Sequence, residues 1–185
     1  MTQRMNYAAA APSGMKALGS AHSYVSESGL PATLIDFVYL RVSQINGCAY
    51  CIDMHSRDLL KADVPVEKLL LVSAWDEAGS VFSDQEKAAL QWAEVVTRIS
   101  DTHVPDEAYA KARATFTEKQ LADLTIAVGL IGAYNGWRSA SAPRRSLHLG
   151  PQRREICRDT KDAASIRGRQ TACPMKRHGT GSTRR

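Results

Sequence analysis

Apolar residues recur every three or four positions through most of residues 1–137, the spacing that places side chains on one face of an α-helix. No segment shows the sustained two-residue alternation, bounded by turn residues, that indicates a β-strand. The pattern therefore predicts an all-α protein with one domain of about six or seven helices. Examples of these stripes are Met15, Leu18, Ala21 and Val25, then Ile35, Val38, Val42 and Ile45, and finally Ala89, Trp92, Ala93 and Val96.

Glycine, proline and capping residues predict where these helices begin and end. Ser13 is expected to cap the first helix, with residues 1–11 loose before it and Gly29 ending it. Prolines suit a first helical turn, and two capping boxes pair Ser or Thr with Glu or Gln three residues later. The later start signals are Pro31, Pro65, Ser83-Asp84-Gln85-Glu86, Pro105 and Thr117-Glu118-Lys119-Gln120.

Two predicted segments carry enough apolar residues to require burial. Residues 69–72 and Trp75 follow Pro65, and the last helix, opening at Thr117, is apolar almost all round. A helix without a polar face has to be covered on every side, and we expect another subunit to cover part of it. The longest nearly apolar run, residues 124–134, is too short to cross a bilayer, and the N-terminus lacks a signal-peptide core. These features predict a cytoplasmic protein without a membrane segment.

Charge divides the chain into two parts. Residues 1–137 hold 11 Lys and Arg against 16 Asp and Glu, whereas residues 138–185 hold 13 against 3, so the net charges are −5 and +10. From residue 139 the sequence is rich in Arg, Ser, Gly and Pro and has too few apolar residues to offset the entropy of ordering. We therefore predict a helical domain over 1–138 and a disordered basic tail over 139–185. A selected basic arm and a shifted reading frame both account for such an ending.

Candidate chemistry is concentrated in QINGCAYCIDMHSRDLLK, residues 44–61, which holds Cys48, Cys51 and His55. Asn46-Gly47 is expected to end the preceding helix, so the cysteines fall at the first turn of the next one. There the helix dipole and free N–H groups favour a thiolate, and positions i, i+3 and i+7 share one face. Two sulfurs at this spacing can close a disulfide while the imidazole exchanges a proton. The arrangement predicts a redox dithiol.

Two alternative roles for the cysteines stay open. A zinc site needs four ligands, and the further cysteines, Cys157 and Cys173, lack CxxC spacing. Alternatively, the pair consists of buried structural cysteines beside a core histidine. A thioredoxin-type CxxC is not indicated, because the residues before Cys48 have a helical pattern. The residues also leave open which thiol attacks, since His55 stands near Cys51 but Cys48 lies nearest the helix N-terminus.

The run LRVSQINGCAYC, residues 40–51, and the following Met54-His55 resemble the core of the AhpD-like alkylhydroperoxidases, in the carboxymuconolactone decarboxylase superfamily. The similarity continues more loosely to about Asn135. It implies an all-helical homo-oligomer, a trimer or hexamer, that reduces organic peroxides with the cysteine pair and without a bound cofactor or metal. The reductant that it implies is an external dithiol, either dihydrolipoamide-like or a small redox protein.

The resemblance also implies roles for four residues. It favours Cys51 as the attacking thiol, Cys48 as the resolving thiol and His55 as the proton relay. The family's acidic residue, twelve positions before the first cysteine, corresponds to Asp36, where relatives commonly have Glu. Because Asp is shorter by one methylene, about 1.5 Å, we expect water to mediate its contact with His55. Without the resemblance, Asp36 is interpreted as a solvated helix charge.

Three functions are compatible with these patterns. A thiol-dependent peroxidase, acting in antioxidant defence, uses the cysteine pair directly. A lyase or isomerase of the decarboxylase type does not need the cysteines. The third candidate is a non-enzymatic protein, either a thiol sensor that uses the pair as a switch or a nucleic-acid-binding protein that uses the basic tail, where binding would be at most nonspecific. The cysteine pair favours the peroxidase.

Overall fold

The computed structural model describes residues 4–141, which contain nine α-helices, two short 3-10 turns and no β-strand. The all-α prediction is confirmed. The 3-10 turns cover Val72–Ala74 and Gly79–Val81. The helices are α1 (Tyr7–Ala10), α2 (Pro12–Ser26), α3 (Ala32–Ile45), α4 (Ala49–Lys61), α5 (Val66–Leu71), α6 (Asp84–Thr97), α7 (Ile99–Thr102), α8 (Asp106–Thr115) and α9 (Glu118–Ser141).

Two four-residue helices, α1 and α7, take the number of helices in the described part above the predicted six or seven. A single turn is too short to show a repeating apolar stripe, so periodicity does not detect it. The prediction that residues 1–11 are loose is wrong for α1, where the Asn6 side chain accepts a hydrogen bond from the Ala9 N–H at 3.2 Å. Helix α2 begins at Pro12 and has no side-chain cap, so the predicted Ser13 cap is also wrong.

Both capping boxes form as predicted. The Ser83 hydroxyl accepts a hydrogen bond from the Glu86 N–H at 3.3 Å, while the Glu86 carboxylate accepts one from the Ser83 N–H at 2.8 Å. Thr117 and Gln120 exchange the same two bonds at the start of α9. Each box satisfies backbone donors that the first turn of a helix leaves without partners. These signals are local, which explains why the sequence predicts them well.

The turn between α3 and α4 determines where the cysteines lie. Asn46 follows the last residue of α3, and Gly47 adopts a φ of 66°, a left-handed conformation that glycine reaches without steric cost. The Cys48 N–H then donates a hydrogen bond to the Ser43 carbonyl at 3.0 Å, and α4 packs against α3. The predicted helix end at Asn46-Gly47 is therefore confirmed.

Helix α3 lies at the centre of the described fold and packs against α4, α6 and α9. Its side chains contribute to two apolar clusters. Leu34, Val38 and Val42 join a cluster that includes residues of α9, whereas Phe37 and Leu40 join a second cluster with residues of α4 and α6. Full burial of one such side chain stabilises the fold by about 1.5–3 kcal/mol. Helix α3 is therefore a rigid base for the groups that it carries towards α4.

The predictions of burial are partly right. Val72 and Trp75 are buried, but Leu70 is 73% exposed and Leu71 is also exposed. Helix α5 has only six residues, and none of them is fully buried, although Leu69 packs partly against the second cluster. Helix α9 buries about half of its apolar residues, and Ile126 remains 43% exposed. Coverage of this face by another subunit stays a prediction.

Helix α9 extends to Ser141, three residues past the predicted domain end at residue 138. The Ser141 carbonyl accepts a hydrogen bond from the Arg4 N–H at 3.0 Å, which ties the end of α9 to the first described residue. Residues 142–185 of the predicted disordered tail lie outside the described part of the chain. Within residues 4–141, no helix combines the length and hydropathy that crossing a bilayer requires.

Candidate active site

The two predicted cysteines meet at the N-terminus of α4. Cys48 is the N-cap residue, and Cys51 lies in the first turn. Their Sγ atoms are 2.9 Å apart, and both residues are free thiols. Because the turn already places the sulfurs side by side, closing a disulfide needs only a small movement of the side chains. The pair is therefore suited to cycling between dithiol and disulfide.

Burial opposes the ionisation of Cys51. Cys48 and Cys51 are 4% and 2% exposed. Burial raises the pKa of Cys51 from an ordinary 9.0 to about 12, and the hydrogen bond with Cys48 acts in the same direction, whereas a hydrogen bond with Asn135 and the charge of Arg138 lower it. Desolvation therefore opposes the stabilisation of a thiolate that the helix N-terminus was expected to favour at Cys51. Cys51 therefore needs a base before it can attack at neutral pH.

His55 lies one turn after Cys51 on α4 and contacts Asp36 on α3. Its Nδ1 is 3.2 Å from Oδ1 of Asp36, so the contact is direct. The expectation of a mediating water is wrong, because α3 and α4 pack closely enough for the shorter side chain to reach. A carboxylate only accepts hydrogen bonds, so Nδ1 is assigned the hydrogen and Nε2 of the neutral ring keeps a lone pair. Asp36 thereby orients the imidazole as a proton acceptor.

Asn135 is a site residue for which sequence reasoning assigned no role. It is buried on α9, and its Nδ2 donates a hydrogen bond to the Ser43 hydroxyl at 3.0 Å. Its Oδ1 accepts one from Nδ2 of Asn46 at 3.0 Å. The same side chain hydrogen-bonds Cys51, which lowers the pKa of that thiol. The signal that could have found it is an amide side chain among mostly apolar residues in the second half of α9, since buried polar groups need partners.

A cavity of about 310 Å³ lies beside the cysteine pair. Its wall is largely apolar and includes Cys51, His55 and Tyr39, while Cys48 is not among its lining residues. Arg138 also lines it, with the guanidinium carbon 3.5 Å from the ring centroid of Tyr50. The cavity therefore gives a small organic molecule access to one thiol of the pair and to the imidazole beside it.

Asp58 joins Asp36 and His55 in a group whose possible metal-ligand atoms lie within 4.8 Å of one another. The carboxylate of Asp58 also accepts a hydrogen bond from Nζ of Lys61 at 2.7 Å, and that of Asp36 is engaged with His55. Neither cysteine belongs to this group. Among residues 4–141, a zinc site at the cysteines therefore gains no additional ligand.

Comparison with known proteins identifies the family. Residues 9–95 match the carboxymuconolactone decarboxylase family. The uncharacterized protein YdfG of Bacillus subtilis is 38% identical over 135 residues, which cover 73% of this chain and 91% of YdfG. The chain belongs to the carboxymuconolactone decarboxylase family. The AhpD-like resemblance inferred from the cysteine motif is confirmed.

Solved structures agree with this membership in the carboxymuconolactone decarboxylase family. A protein of unknown function from Agrobacterium tumefaciens, proposed to be the antioxidant defence protein AhpD, is 36% identical with a TM-score of 0.72. That match covers 76% of this chain and 95% of the Agrobacterium protein. The debrominase Bmp8 is 20% identical with a TM-score of 0.63 over 71% of each chain, which shows a shared fold alone.

Proposed function

We propose that this chain is a thiol-dependent peroxidase that reduces organic hydroperoxides through the Cys48–Cys51 pair. The placement of Cys51 carries the proposal, because its buried thiol lies 2.9 Å from a second thiol and lines a largely apolar cavity together with His55. An apolar cavity suits the organic part of a hydroperoxide, and a neighbouring thiol suits the recovery of an oxidised cysteine. The likeness to a protein proposed to act in antioxidant defence supports the same function.

The first step is attack by Cys51 on the terminal oxygen of the hydroperoxide. Nε2 of His55 takes the thiol proton, and the thiolate forms an S–O bond as the O–O bond breaks. The leaving alkoxide takes the proton from His55 and departs as an alcohol, while Cys51 becomes a sulfenic acid. Cys51 is the attacking thiol because it lines the cavity, and a thiol whose pKa burial has raised to about 12 depends on such a base.

The second step restores the pair through Cys48. Its thiol condenses with the sulfenic acid of Cys51, forming the disulfide and releasing water. An external dithiol, dihydrolipoamide-like or a small redox protein, then reopens the disulfide by thiol–disulfide exchange and is itself oxidised. The separation of 2.9 Å between the sulfurs supports this division of work, since the resolving thiol is already in place. No bound cofactor takes part in these steps.

The proposal includes an oligomeric state and a cellular location. We propose a homo-oligomer, a trimer or hexamer, because helix α9 leaves the apolar side chain of Ile126 43% exposed. The cytoplasm is the proposed location, since a pair that must cycle is suited to a reducing compartment. The oligomer can be tested by sedimentation at micromolar concentration, where a monomer would contradict it.

Consumption of cumene hydroperoxide in the presence of candidate dithiols tests the function. The wild-type protein should turn over with at least one dithiol, and a Cys51→Ser variant should not. Prior alkylation of the thiols should also remove activity. A lyase or isomerase of the decarboxylase type would consume no cumene hydroperoxide even before the thiols are altered, and a thiol sensor would react once with peroxide without turnover. Either result would replace the peroxidase proposal.

A further inference from the structure

Two buried side-chain atoms among residues 4–141 have no hydrogen-bond partner in the protein, the hydroxyl of Tyr39 and Nε2 of His55. Buried polar groups are nearly always paired, because burial takes away their hydrogen bonds with water, so an exception needs an explanation. Both residues line the cavity that Cys51 lines. The two exceptions in the described part of the chain therefore meet where the proposed chemistry takes place.

Tyr39 is held firmly in the cavity wall. It lies on α3 and is 4% exposed, with its ring centroid 5.0 Å from that of His55 and 6.5 Å from that of His22. Burial, followed by the charge of Asp36, raises the pKa of Tyr39 above its ordinary value. The hydroxyl therefore keeps its hydrogen across the physiological range of pH. Packing alone needs only the ring, so the hydroxyl calls for a separate role.

Building on the peroxidase function, we propose that Tyr39 is a catalytic residue whose hydroxyl donates a hydrogen bond to the peroxide oxygen that leaves with the organic group. When Cys51 attacks the terminal oxygen, negative charge develops on the inner oxygen as the O–O bond breaks. A donor already fixed at that position stabilises this charge, as donors of an oxyanion hole do. His55, whose Nε2 has no partner within residues 4–141, lines the same cavity and supplies the proton that the leaving oxygen takes up.

The atoms and protons balance without consuming the Tyr39 hydrogen. Cys51 passes its proton to Nε2 of His55, an S–O bond forms, and the O–O bond breaks. His55 then passes the proton to the leaving oxygen, so one thiol and one hydroperoxide give one sulfenic acid and one alcohol. Tyr39 donates through the same O–H before and after the step. A hydrogen bond to a more basic oxygen anion is stronger, so the contribution of Tyr39 to the rate should increase with the basicity of the leaving oxygen.

Three peroxides with different leaving groups test this role in Tyr39→Phe. tert-Butyl hydroperoxide releases the most basic oxygen, hydrogen peroxide a less basic one, and peracetic acid a weakly basic carboxylate. Single-turnover oxidation of Cys51 should slow on the order of 10²-fold with tert-butyl hydroperoxide, less with hydrogen peroxide and at most about threefold with peracetic acid. An equal loss with all three, or no loss with any, would overturn the proposal.

Two controls separate this role from effects on folding and on the thiol. Tyr109→Phe removes the hydroxyl of an exposed tyrosine outside the cavity and should leave all three rates unchanged. Iodoacetamide alkylates Cys51 and releases iodide, which needs no proton, so Tyr39→Phe should be alkylated at the wild-type rate. Alkylation slowed as much as peroxide reduction would mean that Tyr39 acts on the thiol or on the fold, and would overturn the proposal.

The wild-type protein provides a measurement that does not depend on folding of the variant. The logarithm of its oxidation rate should fall less steeply with leaving-group basicity than that of a free dithiol, because Tyr39 stabilises the basic leaving groups most. Equal slopes would overturn the role of Tyr39 while leaving peroxidase activity intact. A wild-type protein that reduces none of the three peroxides would instead overturn the peroxidase function, and the role of Tyr39 with it.

Discussion

Nδ1 of His55 on α4 lies 3.2 Å from Oδ1 of Asp36 on α3, so the carboxylate orients the imidazole directly across the helix pair. This contact leaves Nε2 as the nitrogen without a protein partner, in the wall of the cavity that Cys51 also lines. Orientation of a histidine by a carboxylate is a common way to prepare a general base. Burial keeps Cys51 protonated at neutral pH, so its thiol needs a base. The orientation of His55 should therefore affect the rate at which peroxide oxidises Cys51.

Asp36→Ala should slow oxidation of Cys51 by tert-butyl hydroperoxide about ten- to a hundredfold near neutral pH, the usual size of general-base assistance. The defect should shrink as pH rises, because hydroxide replaces the missing base. Asp36→Glu should retain activity. Asp53→Ala removes an exposed carboxylate of α4 that pairs with Arg57, and serves as the control of equal charge change. A pH–rate profile of Asp36→Ala that overlays the wild type from about pH 6 to 9 would falsify the relay.

The two cysteines should divide the reaction between them. Cys51→Ser should abolish peroxide reduction, since the thiol in the cavity wall is lost. Cys48→Ser should still react once, leaving a sulfenic acid that dimedone traps, because no resolving thiol is present. Mass spectrometry of the dimedone adduct gives the answer for both variants. A trapped species found in Cys51→Ser alone would reverse the assignment of attacker and resolver.

The raised pKa of Cys51 predicts that the free energy of unfolding falls at alkaline pH. The folded pKa of about 12 lies above the ordinary 9.0, so between these values the unfolded chain releases a proton that the folded protein keeps. The resulting stabilisation is complete below about pH 9 and is lost as pH rises towards 12, by at most about 1.4 kcal/mol per pH unit. Urea denaturation at several pH values should show a shallower decline in Cys51→Ser, where this proton is absent. Parallel curves for the two proteins would contradict the shift.

Asn135→Ala should destabilise the fold by about 1–3 kcal/mol, because it leaves polar groups at Ser43 and Asn46 without their partner. It should also slow oxidation of Cys51, since the hydrogen bond that lowers the pKa of that thiol is removed. Asn46→Ala is the matched control, since it removes an exposed partner and should cost less. Urea denaturation and single-turnover oxidation measure the two effects. Equal stability of Asn135→Ala and wild type would argue against the buried network.

Removal of residues 142–185 should leave peroxide turnover within about a factor of two, because the chemistry is placed on α3, α4 and α9. It should also remove nonspecific affinity for polyanions, since residues 142–185 hold 12 Lys and Arg against 3 Asp and Glu, a net charge of +9. Removal from residue 139 onward should be less well tolerated, because Ser141 is buried and its carbonyl binds Arg4. Thermal denaturation of the two truncated proteins, together with a heparin-binding assay, distinguishes these outcomes.

The sequence alone was sufficient for features that depend on neighbours along the chain. The capping boxes at Ser83 and Thr117, the helix end at Asn46-Gly47 and the meeting of Cys48 with Cys51 each involve groups at most four positions apart. Local backbone geometry places such groups together whatever surrounds them. The same locality explains the errors at α1 and α7, where one turn offers too few positions for a pattern.

The solvation of the candidate site and the contacts between its helices were decided only by the tertiary structure. The pKa of Cys51 depends on the helices that exclude water from it, and spacing within α4 cannot reveal that exclusion. The contact of Asp36 with His55 and the network of Asn135 join groups on different helices. The hydroxyl of Tyr39, by contrast, is buried without a partner in the described part of the chain. The distances within these contacts follow from the packing of α3 against α4 and α9. The sequence thus determined which chemical groups are available, and packing determined their solvation and contacts, because desolvation and reach are properties of the assembled helices.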